Sequence, residues 1–209
     1  MKRRNTLSFV LLMISFAFYC QEIPREAITA AHSGYRQYLE KIPHGGENAF
    51  GFRDRAEFTK VKVGKPFRIY RLVREFYEQP FSGSRDYLTA SDEYRFPLVL
   101  KKKYRVMITV AKRGDAWEIV NMGSADMAKE LQVLEKQGRG KSDVGKILVA
   151  TGINGDFLLV SSRSGTEKAV PFESARTAMG TGPVSGSSDL DSMLPLIKEC
   201  SGKNQQSNR

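Results

Sequence analysis

The chain has 209 residues, 41% hydrophobic and 27% charged, with 33 Lys and Arg against 23 Asp and Glu and a formal charge of +10. That length holds one domain or two small ones, and an aromatic content of 10% excludes a wholly disordered chain. Two cysteines and two histidines leave neither a disulfide scaffold nor a zinc centre to build on.

Lys2, Arg3 and Arg4 precede an uncharged run that lasts to Glu22, and Leu7 to Tyr19 is almost wholly apolar. A basic start, a short apolar stretch and small residues at Ser15 and Ala17 make an export signal over residues 1–20. As a helix the apolar stretch would span only about 20 Å, short of a bilayer core. The body is therefore expected outside the cytosol, periplasmic or extracellular. Cys20 follows the apolar run directly, so it is a candidate for lipidation, with Tyr19 standing where lipidated boxes carry a small residue. Alternatively it pairs with Cys200 in a disulfide, or leaves with the leader. Loss of the three leader charges lowers +10 to about +7.

Beyond the leader, Pro24 suits a first helical turn, and Ile28, Ala31, Tyr35, Leu39 and Ile42 recur at helical spacing until Pro43. A shorter helical piece is expected over Asp54–Val61, capped by Asp54 with Phe58 inward. Phe67–Val73 alternates as a strand, and Pro66 before it predicts a sheet edge. Glu78–Asp92 reads as a surface loop and a candidate contact region. Phe96–Leu100, Tyr104–Ala111 and Trp117–Asn121 then form an antiparallel meander, with Tyr104, Val106, Ile108 and Val110 on one face.

A second helix follows, capped by Ser124, with Met127, Leu131 and Leu134 as its stripe and Gly138–Gly140 as its stop. Ile147–Ala150 and Phe157–Val160 flank Asn154-Gly155, a strong hairpin signal. A short strand near Ala169-Val170 and a helical turn or two at Glu173–Met179 complete the body. Residues 180–209 are expected to be a flexible Gly/Ser-rich tail, with a short helix over Asp189–Cys200 that Pro195 interrupts. The expected fold class is α+β: an antiparallel sheet, meander plus hairpin, with the N-terminal and mid-chain helices packed on one face of a single domain at 22–179. The passages Gly51-Phe52-Arg53 through Arg71 and Phe96 through Leu131 resemble small exported bacterial modules of cystatin-like and PepSY-like outline. The resemblance implies that outline and no activity.

Chemistry-bearing motifs are incomplete. No Gly-x-Ser-x-Gly occurs, and His44 with Ser82 or Ser84 and Asp86 has only loop positions in common. Gly140-Lys141-Ser142 lacks the glycine a phosphate loop needs, since Glu135 stands there. Arg113-Gly114-Asp115 is turn chemistry at a hairpin tip. No cofactor or metal site is expected. The substantive feature is basic: Lys101, Lys102, Lys103 and Arg105, then Lys112 and Arg113, with no acid between them. The meander places these in two patches at opposite hairpin ends, suited to an anionic partner and, lacking interleaved aromatics, not to nucleic-acid bases. The expected function is a non-enzymatic binding or interaction module of the cell envelope, contacting a protein or an anionic envelope component. The membrane is reached only through the leader or a lipid on Cys20. A small envelope hydrolase assembled in three dimensions, and an inhibitor or chaperone-like module, are the alternatives.

Overall fold

The computed structural model describes residues 23–81, 83, 86–123, 125–136, 145–161, 166–181 and 187–207. The leader with Cys20, the Ser124 cap, Ser82 and Ser84, Gly138–Gly140 and the Gly140-Lys141-Ser142 match all lie outside the described residues.

Among the described residues nine strands make one sheet, antiparallel throughout except for one parallel pair. The strands are β1 (Lys62–Val63), β2 (Phe67–Leu72), β3 (Leu88–Leu100), β4 (Lys103–Arg113), β5 (Ala116–Gly123), β6 (Gly145–Ala150), β7 (Gly155–Ser161), β8 (Glu167–Pro171) and β9 (Ser188–Asp189). The helices are α1 (Arg25–Glu40), α2 (Arg74–Glu78), α3 (Ala125–Lys136), α4 (Glu173–Met179) and α5 (Leu190–Ser207). Strand order is β5-β4-β3-β2-β6-β7-β8-β9, with β1 also on β3. The α+β class and the meander-plus-hairpin sheet are as expected.

Three details differ from the sequence reading. First, β2 is central, between β3 and β6, and not an edge. Pro66 lies one residue before the ladder, so its missing N–H costs no strand hydrogen bond, and its carbonyl accepts from the Gly145 amide at 3.1 Å. Pro97, inside β3, is accommodated similarly: β1 pairs with Leu98 and Val99, β2 begins opposite Arg95, and Pro97 falls in the gap between them.

Second, the helices divide between faces. Val106, Ile108 and Val110 pack with Ala27, Ala31, Tyr35 and Leu39 of α1, whereas Met107 between them packs with Ala128, Leu131 and Leu134 of α3. Alternate residues of one strand point to opposite faces, so α1 and α3 sandwich β4. Tyr104 leaves the face of Val106 because Arg105 is an extra residue: Leu98 pairs with Val106 and Val99 with Tyr104. This bulge turns Tyr104 toward α3. On α1 the buried residue of the first turn is Ala27, while Ile28 is exposed.

Third, ordered structure reaches past the expected boundaries. Leu88–Asp92 belongs to β3 and not to a loop. The segment expected as a tail contains α5, continuous through Pro195, with Leu190, Met193, Leu194 and Ile197 buried against β6, β7 and β8. Proline at the sixth helical position forfeits one bond to Asp191, which this burial outweighs. The short helix at Asp54 is a 3₁₀ turn, Arg55–Lys60, with the Asp54 carboxylate accepting from the Glu57 amide at 3.2 Å. Among the described residues no helix is long and apolar enough to cross a membrane.

Candidate functional site

A concave site forms where α3 and α4 meet the start of β7. Gly155 opens β7, and a Cβ there would stand 2.8 Å from the Ala175 Cα, so glycine lets α4 lie directly on the strand. The first turns of α3 face it, leaving a cleft of about 490 Å³. Met127, Ile153, Phe172 and Ala178 supply its apolar lining, and Asp126, Glu130, Asp156 and Glu173 its carboxylates.

Two of these carboxylates are pinned from behind by arginine. Arg95 on β3 reaches Asp156 Oδ2 through Nη1 at 3.0 Å, and the same nitrogen lies 3.3 Å from Met127 Sδ. Arg176 on α4 donates to Glu130 Oε1 at 2.7 Å and to the Pro171 carbonyl at 2.8 Å, while Glu130 Oε2 accepts the Glu173 amide at 3.0 Å. All four side chains of these pairs are about four-fifths buried, so the low surrounding dielectric strengthens each contact. Asp126 and Glu173 stand exposed at the rim, Asp126 beside Lys129 at 2.9 Å. The Ser174 hydroxyl accepts from the Asp156 amide at 3.2 Å. Among the described residues eleven line the cleft, four of them acidic and none basic.

The basic residues singled out by sequence lie elsewhere. Leu100 pairs with Lys103, so Lys101 and Lys102 alone form the turn between β3 and β4, with φ of 49° and 64°. Two positive φ values are the mark of the tight turn that normally selects Asn-Gly. Gln132 of α3 holds its downstream end, donating to the Lys102 carbonyl at 2.5 Å and accepting from the Tyr104 amide at 3.2 Å. Below it the Tyr104 hydroxyl donates to Glu135 at 2.5 Å, and Lys65 pairs with the other oxygen of Glu135. Burial and the Glu135 charge both hold the Tyr104 phenol well above the ordinary tyrosine range.

Lys101, Lys102 and Lys103 are exposed. Arg105 is not part of that surface. As the bulge residue it turns inward and donates to the Gly51 carbonyl at 2.9 Å. Gly51 has φ of 81°, and a Cβ there would come 2.8 Å from the Arg105 carbonyl oxygen, so the two are fitted to each other. Lys112 and Arg113 stand at the far end of β4, roughly 33 Å away. His44 is exposed in the turn after α1, and two serines suggested as its partners lie outside the described residues. Cys200 is half-buried on α5 against the β6–β8 core, and its pairing with Cys20 lies outside the described residues.

Sequence reasoning missed the cleft because its parts come from β3, β7, α3 and α4, and the two arginine pairs join residues 61 and 46 positions apart. Of its lining, the sequence singled out Met127 as part of the α3 stripe and Asn154 as part of a hairpin signal, neither as a ligand contact. No family model, curated protein or solved structure matches the chain, so the chemistry of the site rests on its own geometry.

Proposed function

We propose that the chain is an exported binding module of the cell envelope whose cleft between α3 and α4 takes a compact organic cation bearing a short apolar portion. The observation that carries the reading is the lining: among the described residues, four carboxylates and no base around an apolar floor, on a chain whose bases outnumber its acids 33 to 23. Concave sites of a few hundred Å³ with apolar walls and a few fixed polar groups are the usual form of a small-ligand site. Arg95 and Arg176 fix Asp156 and Glu130 in place before any ligand arrives, which lowers the ordering cost of binding. Asp126 and Glu173 at the rim supply the charge that attracts the ligand.

n-Butylguanidinium and n-butylurea differ in charge and little in shape, so titration calorimetry with the two isolates the cation. The guanidinium is expected to bind and the neutral urea not. The double variant Asp126→Asn/Glu173→Gln is expected to weaken binding by roughly five- to tenfold, as for exposed charges. Equal binding of the two compounds, or no loss in the double variant, would defeat the reading.

A further inference from the structure

We propose that the hairpin turn between β3 and β4 is a docking surface for an anionic bilayer. The feature is separate from the cleft and rests on different residues. Lys101, Lys102 and Lys103 at the turn, Lys62 on β1 opposite Val99, and Lys136 next to the Tyr104-binding Glu135 come from different elements to one end of the sheet. All five are exposed, and among the described residues none of them makes an ion pair. The nearby carboxylate, Glu135, is already taken by Lys65 and Tyr104.

Surface lysines alone decide nothing, but their backbone does. Lys101 and Lys102 occupy left-handed conformations that glycine and asparagine adopt at much lower cost. Gln132 holds the downstream end of the turn through the Lys102 carbonyl and the Tyr104 amide, so the two lysines project from an anchored backbone. Lysine at such positions gains the fold nothing, and strain of this kind collects where function requires a particular side chain.

The partner follows from what surrounds the tip. A protein partner would need an apolar centre to anchor it. Among the described residues the exposed large apolar ones are Ile28, Val133 and Leu196, of which Val133, next to Gln132, is near the turn. A convex cluster of unpaired lysines with one flanking valine instead fits a flat sheet of acidic headgroups, where each basic residue adds independently.

The test uses the purified chain and sedimentation with vesicles of phosphatidylcholine alone or with one-third phosphatidylglycerol. Dependence on the acidic lipid is the readout, since a lipid on Cys20 would seat the chain on neutral vesicles as well. Binding is expected to need phosphatidylglycerol and to fade between 50 and 300 mM salt as the charges are screened. Lys101→Asn/Lys102→Gly should lower the affinity roughly thirtyfold, the value of two surface lysines. Lys101→Arg/Lys102→Arg should keep it, and Lys112→Gln/Arg113→Gln, at the other end of β4, should leave it within about twofold. Because Asn-Gly suits the turn, loss of binding in that variant cannot be ascribed to a failed fold. Indifference to phosphatidylglycerol would overturn the proposal. So would equal loss in the Lys112/Arg113 variant, or binding to soluble polyglutamate with none to vesicles.

Discussion

Replacing Lys101-Lys102 by Asn-Gly should stabilise the fold even as it removes two exposed charges. Each L-residue held in the left-handed region costs about 1–2 kcal/mol, and both lysines are held there. Glycine removes that cost at its position, asparagine removes part of it, and the added freedom of glycine in the unfolded chain returns about 0.5–1 kcal/mol. The Gln132 contacts go to the Lys102 carbonyl and the Tyr104 amide, backbone groups that survive the change. Separating the clustered Lys101, Lys102 and Lys103 charges adds a small gain of the same sign. The net expectation is about 1–2 kcal/mol of added stability, or roughly 2–8 °C in Tm for a chain of this size. Urea denaturation followed by circular dichroism measures it, with the midpoint raised and the slope unchanged. A midpoint that falls or stays put would show that the turn is not strained as its dihedral angles indicate, and would remove the main support for a docking role.

Other perturbations have definite signs. Gly51→Ala combines a φ of 81° with a Cβ 2.8 Å from the Arg105 carbonyl, and should cost about 2–3 kcal/mol in the same denaturation assay. Gly145→Ala would place a Cβ 2.1 Å from the buried Phe67 ring and should cost about 1–3 kcal/mol, partly restored by Phe67→Leu. Arg95→Met leaves Asp156 without its cation in a mostly buried setting and should cost about 1–3 kcal/mol, whereas Arg74→Met, at an exposed pair, should be nearly silent. The raised ionisation of Tyr104 means that the unfolded chain sheds that proton first as pH climbs past about 10. Stability should therefore be intact below pH 10 and fall above it, with Tyr104→Phe flattening the fall and Tyr104 missing from the ultraviolet titration of the native protein until well past that range.

What could be read from the residues was the part encoded locally. Period-two apolar runs located β3 to β5, Asn154-Gly155 marked the β6–β7 turn, and four-residue spacing located α1 and α3. The unread parts depend on neighbours distant along the chain. Leu88–Asp92 carries Ser, Asp and Thr and resembles a loop until β2 is laid beside it. The position of β2 depends on β6, whose first residue, Gly145, pairs with Phe67. A single extra residue at Arg105 reversed the direction of Tyr104, and no composition or spacing rule announces a bulge. Pro195 argued against a helix whose apolar face then proved sufficient to keep it. For the sites, the lysines were visible because they are consecutive, and the cleft was not because its ion pairs are assembled only by folding.

The parallel seam between β2 and β6 has a consequence for how the molecule is made. Hairpins β3-β4-β5 and β6-β7-β8 can zip from adjacent residues, but the seam joins Phe67–Arg71 to Gly145–Val149, and nothing completes it until the later segment has emerged. For a polypeptide delivered from its N-terminus outward, the half-built sheet therefore presents β2 as a bare ladder throughout synthesis of the meander and α3, the interval in which a chaperone or holding factor would have most to protect.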